Sequence, residues 1–141
     1  MVDTNVFISA LLGPTGASRA VLRSCLEGRL QPLMGAALFL EYESLLSRES
    51  LFKDCLLSPD QREALLNAFL STCRWTTIYY SWRPNLRDEA DNHLIELAVA
   101  GGAEAIVTKN TRDFKTAELH FPGLRFLRPE ELLQEMDSWE P

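Results

Sequence analysis

The chain is poor in the residues that build soft metal sites, and it has no long apolar run. Its 141 residues include two histidines and three cysteines, with no CxxC pair and no Cys/His cluster. Structural zinc and dithiol redox chemistry draw on such clusters, so neither is a starting hypothesis. Cys25, Cys55 and Cys73 are odd in number, widely separated and set in apolar helical contexts, which reads as reduced, buried thiols. No apolar stretch approaches the roughly 20 residues of a membrane span. An acid stands at position 3, where a secretory leader would be basic, and no cleavage site follows. A cytoplasmic protein with no membrane association is expected. Repeats, linkers and low-complexity segments are missing too, so residues 1–141 are expected to form one domain.

Basic residues are also in deficit: 14 against 20 acids, a net charge of −6. Five of those acids (Glu130, Glu131, Glu135, Asp137 and Glu140) stand in a tail without Lys or Arg, which leaves 15 acids against 14 basic residues elsewhere. If five more converge on one site, the remaining surface carries 14 basic residues against 10 acids. The total excludes broad, charge-driven coating of nucleic acid but not a phosphate-rich substrate. Hydrophobic residues make up 46% of the chain, and at this length folding buries roughly 70% of the extended surface.

Short β-like runs alternate with helical segments, the pattern of a parallel α/β sheet. Strands are expected at Met1–Asp3, Gln31–Met34, Trp75–Tyr80, Ala105–Thr108 and Leu124–Leu127. The first is unusually short, which suggests that a few residues are missing ahead of Met1. Helices are expected over Thr4–Leu12, Ser18–Glu27 and Ala36–Arg48, from a Ser58 cap to Cys73, from Asp88 to the Gly101-Gly102 stop, and from Pro129 onward. Ser58-Pro59-Asp60-Gln61 carries a serine cap, a proline at the first helical position and a glutamine at the third. Residues 83–87 and 109–114 read as loops or short turns.

The acids are the informative residues. Asp3 ends the first strand, and the carboxyl ends of strands are where an open α/β sheet presents its chemical groups. A carboxylate desolvated there needs compensation. Asp91, Leu94, Ile95 and Ala98 share one helix face that is apolar after its first member. Asp88, three residues earlier, projects nearly the same way and also reads as the N-cap. Glu41 flanks the buried stripe of its helix, whereas Glu43 is offset from it and solvated. Asp113 follows the fourth strand through a polar loop that holds Asn110, a neutral oxygen donor. Together Asp3, Glu41, Asp91 and Asp113, with Asp88 nearby, would repel one another without a cation. An all-oxygen set suits Mg²⁺ or Mn²⁺. His93 and His120 are expected on the solvated surface.

These residues resemble the PIN-domain family, and within it the VapC-like toxins of bacterial and archaeal toxin–antitoxin systems. The resemblance rests on Asp3-Thr4-Asn5-Val6 with Ser9, Leu40-Glu41-Tyr42 with Leu45, Arg87-Asp88-Glu89-Ala90-Asp91, and Val107-Thr108 through Asp113-Phe114. It implies a three-layer α/β/α fold with a central parallel sheet of about five strands. It also implies a metal-dependent ribonuclease in which Asp3, Glu41 and Asp91 are the core metal-binding acids. Asp113 matches a further, more variable acid, and Asp88 an additional aspartate. Asn5, Ser9 and Thr108 would orient the acids or a metal-bound water. A homodimer and a cognate antitoxin are implied as partners. The chain departs from many relatives at Asn110, where they have an aspartate, so the site is one negative charge weaker there.

In the reaction so implied, water hydrolyses an RNA phosphodiester, and Arg83, Arg87, Lys109 and Arg112 are candidates for backbone phosphate contacts. A phosphotransferase with Asp3 as nucleophile would need an acid two residues on, where this chain has Asn5. A catalytically weak module that binds RNA or protein is the stronger alternative, with Asn110 as its sign.

Overall fold

A computed structural model describes residues 1–13, 16–77, 89–115 and 123–139, although the side chains of residues 89–92, 113 and 115 lie outside that description. Its helices are α1 (Thr4–Leu12), α2 (Ala17–Leu26), α3 (Ala36–Leu46), α4 (Pro59–Thr72), α5 (Glu89–Gly101), α6 (Thr111–Lys115) and α7 (Pro129–Asp137). Its strands are β1 (Leu33–Met34), β2 (Arg74–Trp75), β3 (Ala105–Val107) and β4 (Arg125–Leu127).

Local chemistry accounts for the helix ends. Ser58 Oγ accepts from the Gln61 amide at 3.2 Å while Gln61 Oε1 accepts from the Ser58 amide at 2.9 Å, a reciprocal capping box at the start of α4. Helix α5 stops where Gly102 takes a φ of +68°. The amides of Gly102 and Ala103 then turn back onto the carbonyls of Val99 and Ala98, satisfying the last turn. Gly101 also lets α5 close on β1, because a Cβ there would meet Leu33 Cδ1 at 2.5 Å.

The architecture is mixed α/β and every described strand pairing is parallel. β1 lies beside β2, and β3 beside β4. The expected first strand is reduced to one bridge, Val2 to Val107, held by Asp3 N–H to the Val107 carbonyl at 2.9 Å and Val107 N–H to the Met1 carbonyl at 2.8 Å. The sheet of about five strands is thus present only as two short pairs and a bridge among the described residues. Strands of two or three residues form few ladder bonds, so packing by α5, which touches both β1 and β3, supplies cohesion that hydrogen bonds do not. The expected strand over 75–80 is strand only at Trp75, preceded by Arg74, and residues 78–80 lie outside the described set. Of residues 109–114, expected as a loop or short turn, those from Thr111 onward belong to the short helix α6.

The core beneath the carboxyl edge is aromatic. Phe7 of α1, Tyr42 of α3 and Phe69 of α4 are each about 99% buried. Phe7 meets Tyr42 edge-on at 5.4 Å and Phe69 at 5.3 Å between ring centroids. Burying each such ring contributes roughly 1.5–3 kcal/mol. Tyr42 Oη donates to the Val2 carbonyl at 2.8 Å, which registers α3 against the residue before Asp3. The three cysteines are free, with Cys25 buried and the others half-buried. No helix among the described residues is long and apolar enough to cross a membrane.

Candidate active site

Asp3 sits where an extended backbone turns into α1, at the carboxyl ends of the parallel segments Met1–Asp3 and β3. It occupies the cap position yet makes no side-chain cap bond, so its carboxylate is directed elsewhere. Thr108, the residue after β3, is fully buried and donates from Oγ1 to Asp3 Oδ2 at 2.8 Å. The same hydroxyl accepts from Asn5 Nδ2 at 3.3 Å and from the Asn110 amide at 3.1 Å. One donor and two lone pairs are thereby all used, which holds Asp3 Oδ2 in place.

Glu41 arrives from α3, 37 positions from Thr4. Thr4 Oγ1 donates to Glu41 Oε1 at 2.6 Å, and its contact with Asp3 Oδ1 is 3.4 Å. A hydroxyl has a single proton, so the short contact is the bond and Asp3 Oδ1 stays the freer oxygen. His93 Nε2 meets Glu41 Oε2 at 2.8 Å, and its side chain is 21% exposed. This corrects the expectation of a solvated His93. Its contact sets the N-terminal half of α5, which carries Asp91 in its backbone, beside Glu41.

The two acids titrate in opposite directions. Burial pushes the Asp3 carboxyl above its ordinary range, the Thr108 bond works against this, and the negative Glu41 adds to it. The His93 hydrogen bond pulls Glu41 below its ordinary range, with the Thr4 bond assisting against partial burial. Environments that separate neighbouring carboxylates in this way mark candidate functional sites.

The other expected residues divide. Asn5 Oδ1 accepts from the Lys109 amide at 3.2 Å, and Lys109 Nζ donates to Ser9 Oγ at 3.3 Å, so Asn5, Ser9, Thr108 and Lys109 are gathered at this edge. Asn110 joins through its backbone amide, while the side chain read as a neutral oxygen donor is exposed. Arg112 is exposed on α6. Arg83, Arg87, Asp88 and His120 lie outside the described residues. So do the side chains of Asp91 and Asp113, although their backbones belong to α5 and α6. The residues missed by sequence reasoning are Thr4 and His93. Thr4 stands between two singled-out residues, which was a usable signal. His93 had none, because its partner lies on another helix.

A cleft of about 510 Å³ opens beside Ser9 and Lys109, bounded also by Leu12, Ser18 and Glu130. A second cavity, of about 300 Å³, lies at the amino ends of the strands, against Leu33, Arg74 and Ala105, away from the paired acids. In open parallel sheets ligands bind at the carboxyl ends, which favours the first, although neither Asp3 nor Glu41 lines it. Among the described residues no three His, Cys, Asp or Glu side chains gather closely enough to cage a metal. The donor chemistry nevertheless fits a hard cation: two carboxylates lie around one threonine hydroxyl whose single proton serves only the nearer, and the buried one carries a charge that its neighbour opposes.

A protein-family model described as PIN domain matches residues 1–112. A comparison with curated proteins found no match.

Proposed function

The chain belongs to the PIN domain family, and from that premise we propose that it is a Mg²⁺- or Mn²⁺-dependent endoribonuclease, the toxin of a toxin–antitoxin pair. PIN domains are generally nucleases. The observation that carries the reading is a buried Asp3 at the carboxyl edge, fixed by Thr108 and joined through Thr4 to a second acid, Glu41. Asp3, Glu41 and Asp91 would hold the cation, with Asp88 and Asp113 adding negative charge. When bound, the cation supplies an activated water and neutralises charge on the scissile phosphate.

The chain's own groups do the rest. Thr108 keeps Asp3 Oδ2 aligned, and Thr4 does the same for Glu41 Oε1. One of the carboxylates, with Asp3 Oδ1 the freer oxygen, would accept a proton from the attacking water. Lys109, Arg112, Arg83 and Arg87 contact backbone phosphates, Lys109 from the lip of the cleft beside Ser9. A homodimer and a cognate antitoxin that covers the acidic edge complete the proposal.

The test is cleavage of single-stranded and structured RNA with Mg²⁺ or Mn²⁺, with and without EDTA. Cleavage is expected only with the metal and is expected to be lost in Asp3→Asn and Asp91→Asn. Undiminished cleavage in both variants overturns the site. Tight, metal-independent RNA binding without cleavage favours the binding module.

A further inference from the structure

We infer that His93 is a positioning residue that sets the orientation of the Glu41 carboxylate for cation binding; this rests on the metal-dependent reading above. Glu41 projects from a half-exposed position on α3, and a glutamate's terminal torsion is broad and roughly two-fold. Left to itself such a carboxylate samples many orientations and pays entropy when a cation fixes it. Here each oxygen has its own anchor: Thr4 Oγ1 on Oε1 at 2.6 Å and His93 Nε2 on Oε2 at 2.8 Å. Two bonds at opposite ends fix the plane of the group and still leave a lone pair on each oxygen for a cation.

Nε2 of His93 cannot itself be a ligand in this arrangement. Glu41 offers only acceptors, so Nε2 carries the proton of that bond and has no lone pair to give. Nδ1 is buried and has no hydrogen-bond partner among the described residues. A ring with one nitrogen committed to the carboxylate and the other out of contact with solvent acts through Glu41. The arrangement inverts the common one, in which a carboxylate orients a metal-binding histidine. The anchors also come from different elements, Thr4 from α1 and His93 from α5. The carboxylate therefore takes its final orientation only once both helices have docked on α3.

The alternative is a purely structural tie between α3 and α5. The two roles separate in Mn²⁺ titration of the full 141-residue protein, followed by calorimetry and by the electron paramagnetic resonance of bound Mn²⁺, without RNA. In His93→Leu the Mn²⁺ Kd is expected to rise about 10–100-fold. His93→Gln, whose Nε2 can stand near the imidazole position, is expected to recover most of the affinity. His93→Asn, polar but too short to reach Glu41, is expected to behave like His93→Leu, and it keeps the test available if the leucine variant does not fold. In RNA cleavage the loss is expected in kcat rather than KM. Unchanged Mn²⁺ affinity in His93→Leu or His93→Asn, with only a lower Tm, overturns the inference. Absence of saturable Mn²⁺ binding in the wild type overturns the metal-dependent reading instead.

Discussion

Asp3 and Arg62 are the two most instructive buried charges, and they are compensated in opposite ways. Arg62 is 5% exposed. Its guanidinium donates to the Leu57 carbonyl at 3.0 Å, meets both Glu49 oxygens at 3.3 Å and lies 4.4 Å from the centroid of the Phe52 ring. Every partner is an acceptor or a π face, so the positive charge is answered where it sits. Asp3 is 6% exposed, and among the described residues the charged group that acts on it is another acid, Glu41. Hydroxyl donors satisfy its geometry but leave its charge unanswered. Among the described residues Arg62 has an opposite charge beside it, although its Nε makes no hydrogen bond, whereas Asp3 has only neutral donors and a like charge. Stability and function are separated in these two places.

The largest expected effect tests the unfinished side. Asp3→Asn removes a ligand from a cation worth several kcal/mol of transition-state stabilisation. Cleavage is expected to fall about 10³-fold or more, measured as single-turnover RNA hydrolysis under saturating Mn²⁺. The same variant in EDTA is expected to melt higher than the wild type, because it removes a buried, uncompensated charge. A lower Tm would break the comparison.

Arg62→Ala should do the reverse. Breaking a buried charge cluster is expected to cost about 2–3 kcal/mol, discounted because Glu49 is largely exposed. Urea denaturation measures this, and cleavage well below the melting point is expected to be unchanged. Tyr42→Phe deletes one buried bond, to the Val2 carbonyl, and is expected to cost about 1 kcal/mol. That bond registers α3 against Asp3, so a modest weakening of Mn²⁺ binding should accompany it.

The smallest effect is on the pH dependence of stability, because the two acids oppose each other. Asp3 binds its proton more tightly when folded, so its favourable contribution is full below the unfolded value of 3.8 and is lost as pH rises through the folded value. Glu41 binds its proton less tightly when folded, so its contribution is full above 4.5 and is lost as pH falls through the folded value. In chelator, the Tm gain of Asp3→Asn should therefore shrink on acidification toward 3.8. Glu41→Gln should show a Tm loss at neutral pH that vanishes in acid. Parallel curves for the two variants would contradict the opposite environments assigned to them.

The helices were the most legible part of the fold. Thr4–Leu12 is both the expected and the observed span of α1, and Ser58, Pro59 and Gln61 announced the start of α4 by residue type alone. The sheet was less legible. β-branched and aromatic runs indicate where strands can form, but the ladder at Trp75 ends after one pairing beyond Arg74, a matter of which neighbour lies alongside. At the site, the Asp3 position was legible from a residue at a strand end, whereas Asn5, Ser9 and Thr108 were named only through the family resemblance. The Asn110 amide was not legible, since every residue has one.

By itself the sequence determined what depends on a few consecutive residues: caps, helical faces, the parallel α/β pattern and the acids that interrupt apolar stripes. These are short-range signals, carried by backbone preferences and by side chains three or four positions apart. Tertiary structure alone decided that Thr4 meets Glu41 across 37 positions, that His93 meets it across 52, and that Thr108 meets Asp3 across 105. Those bonds depend on how α1, α3 and α5 pack on the strand ends. A helical period orders residues around their own axis and carries no information about which side chain of a crossing helix will stand 2.8 Å away.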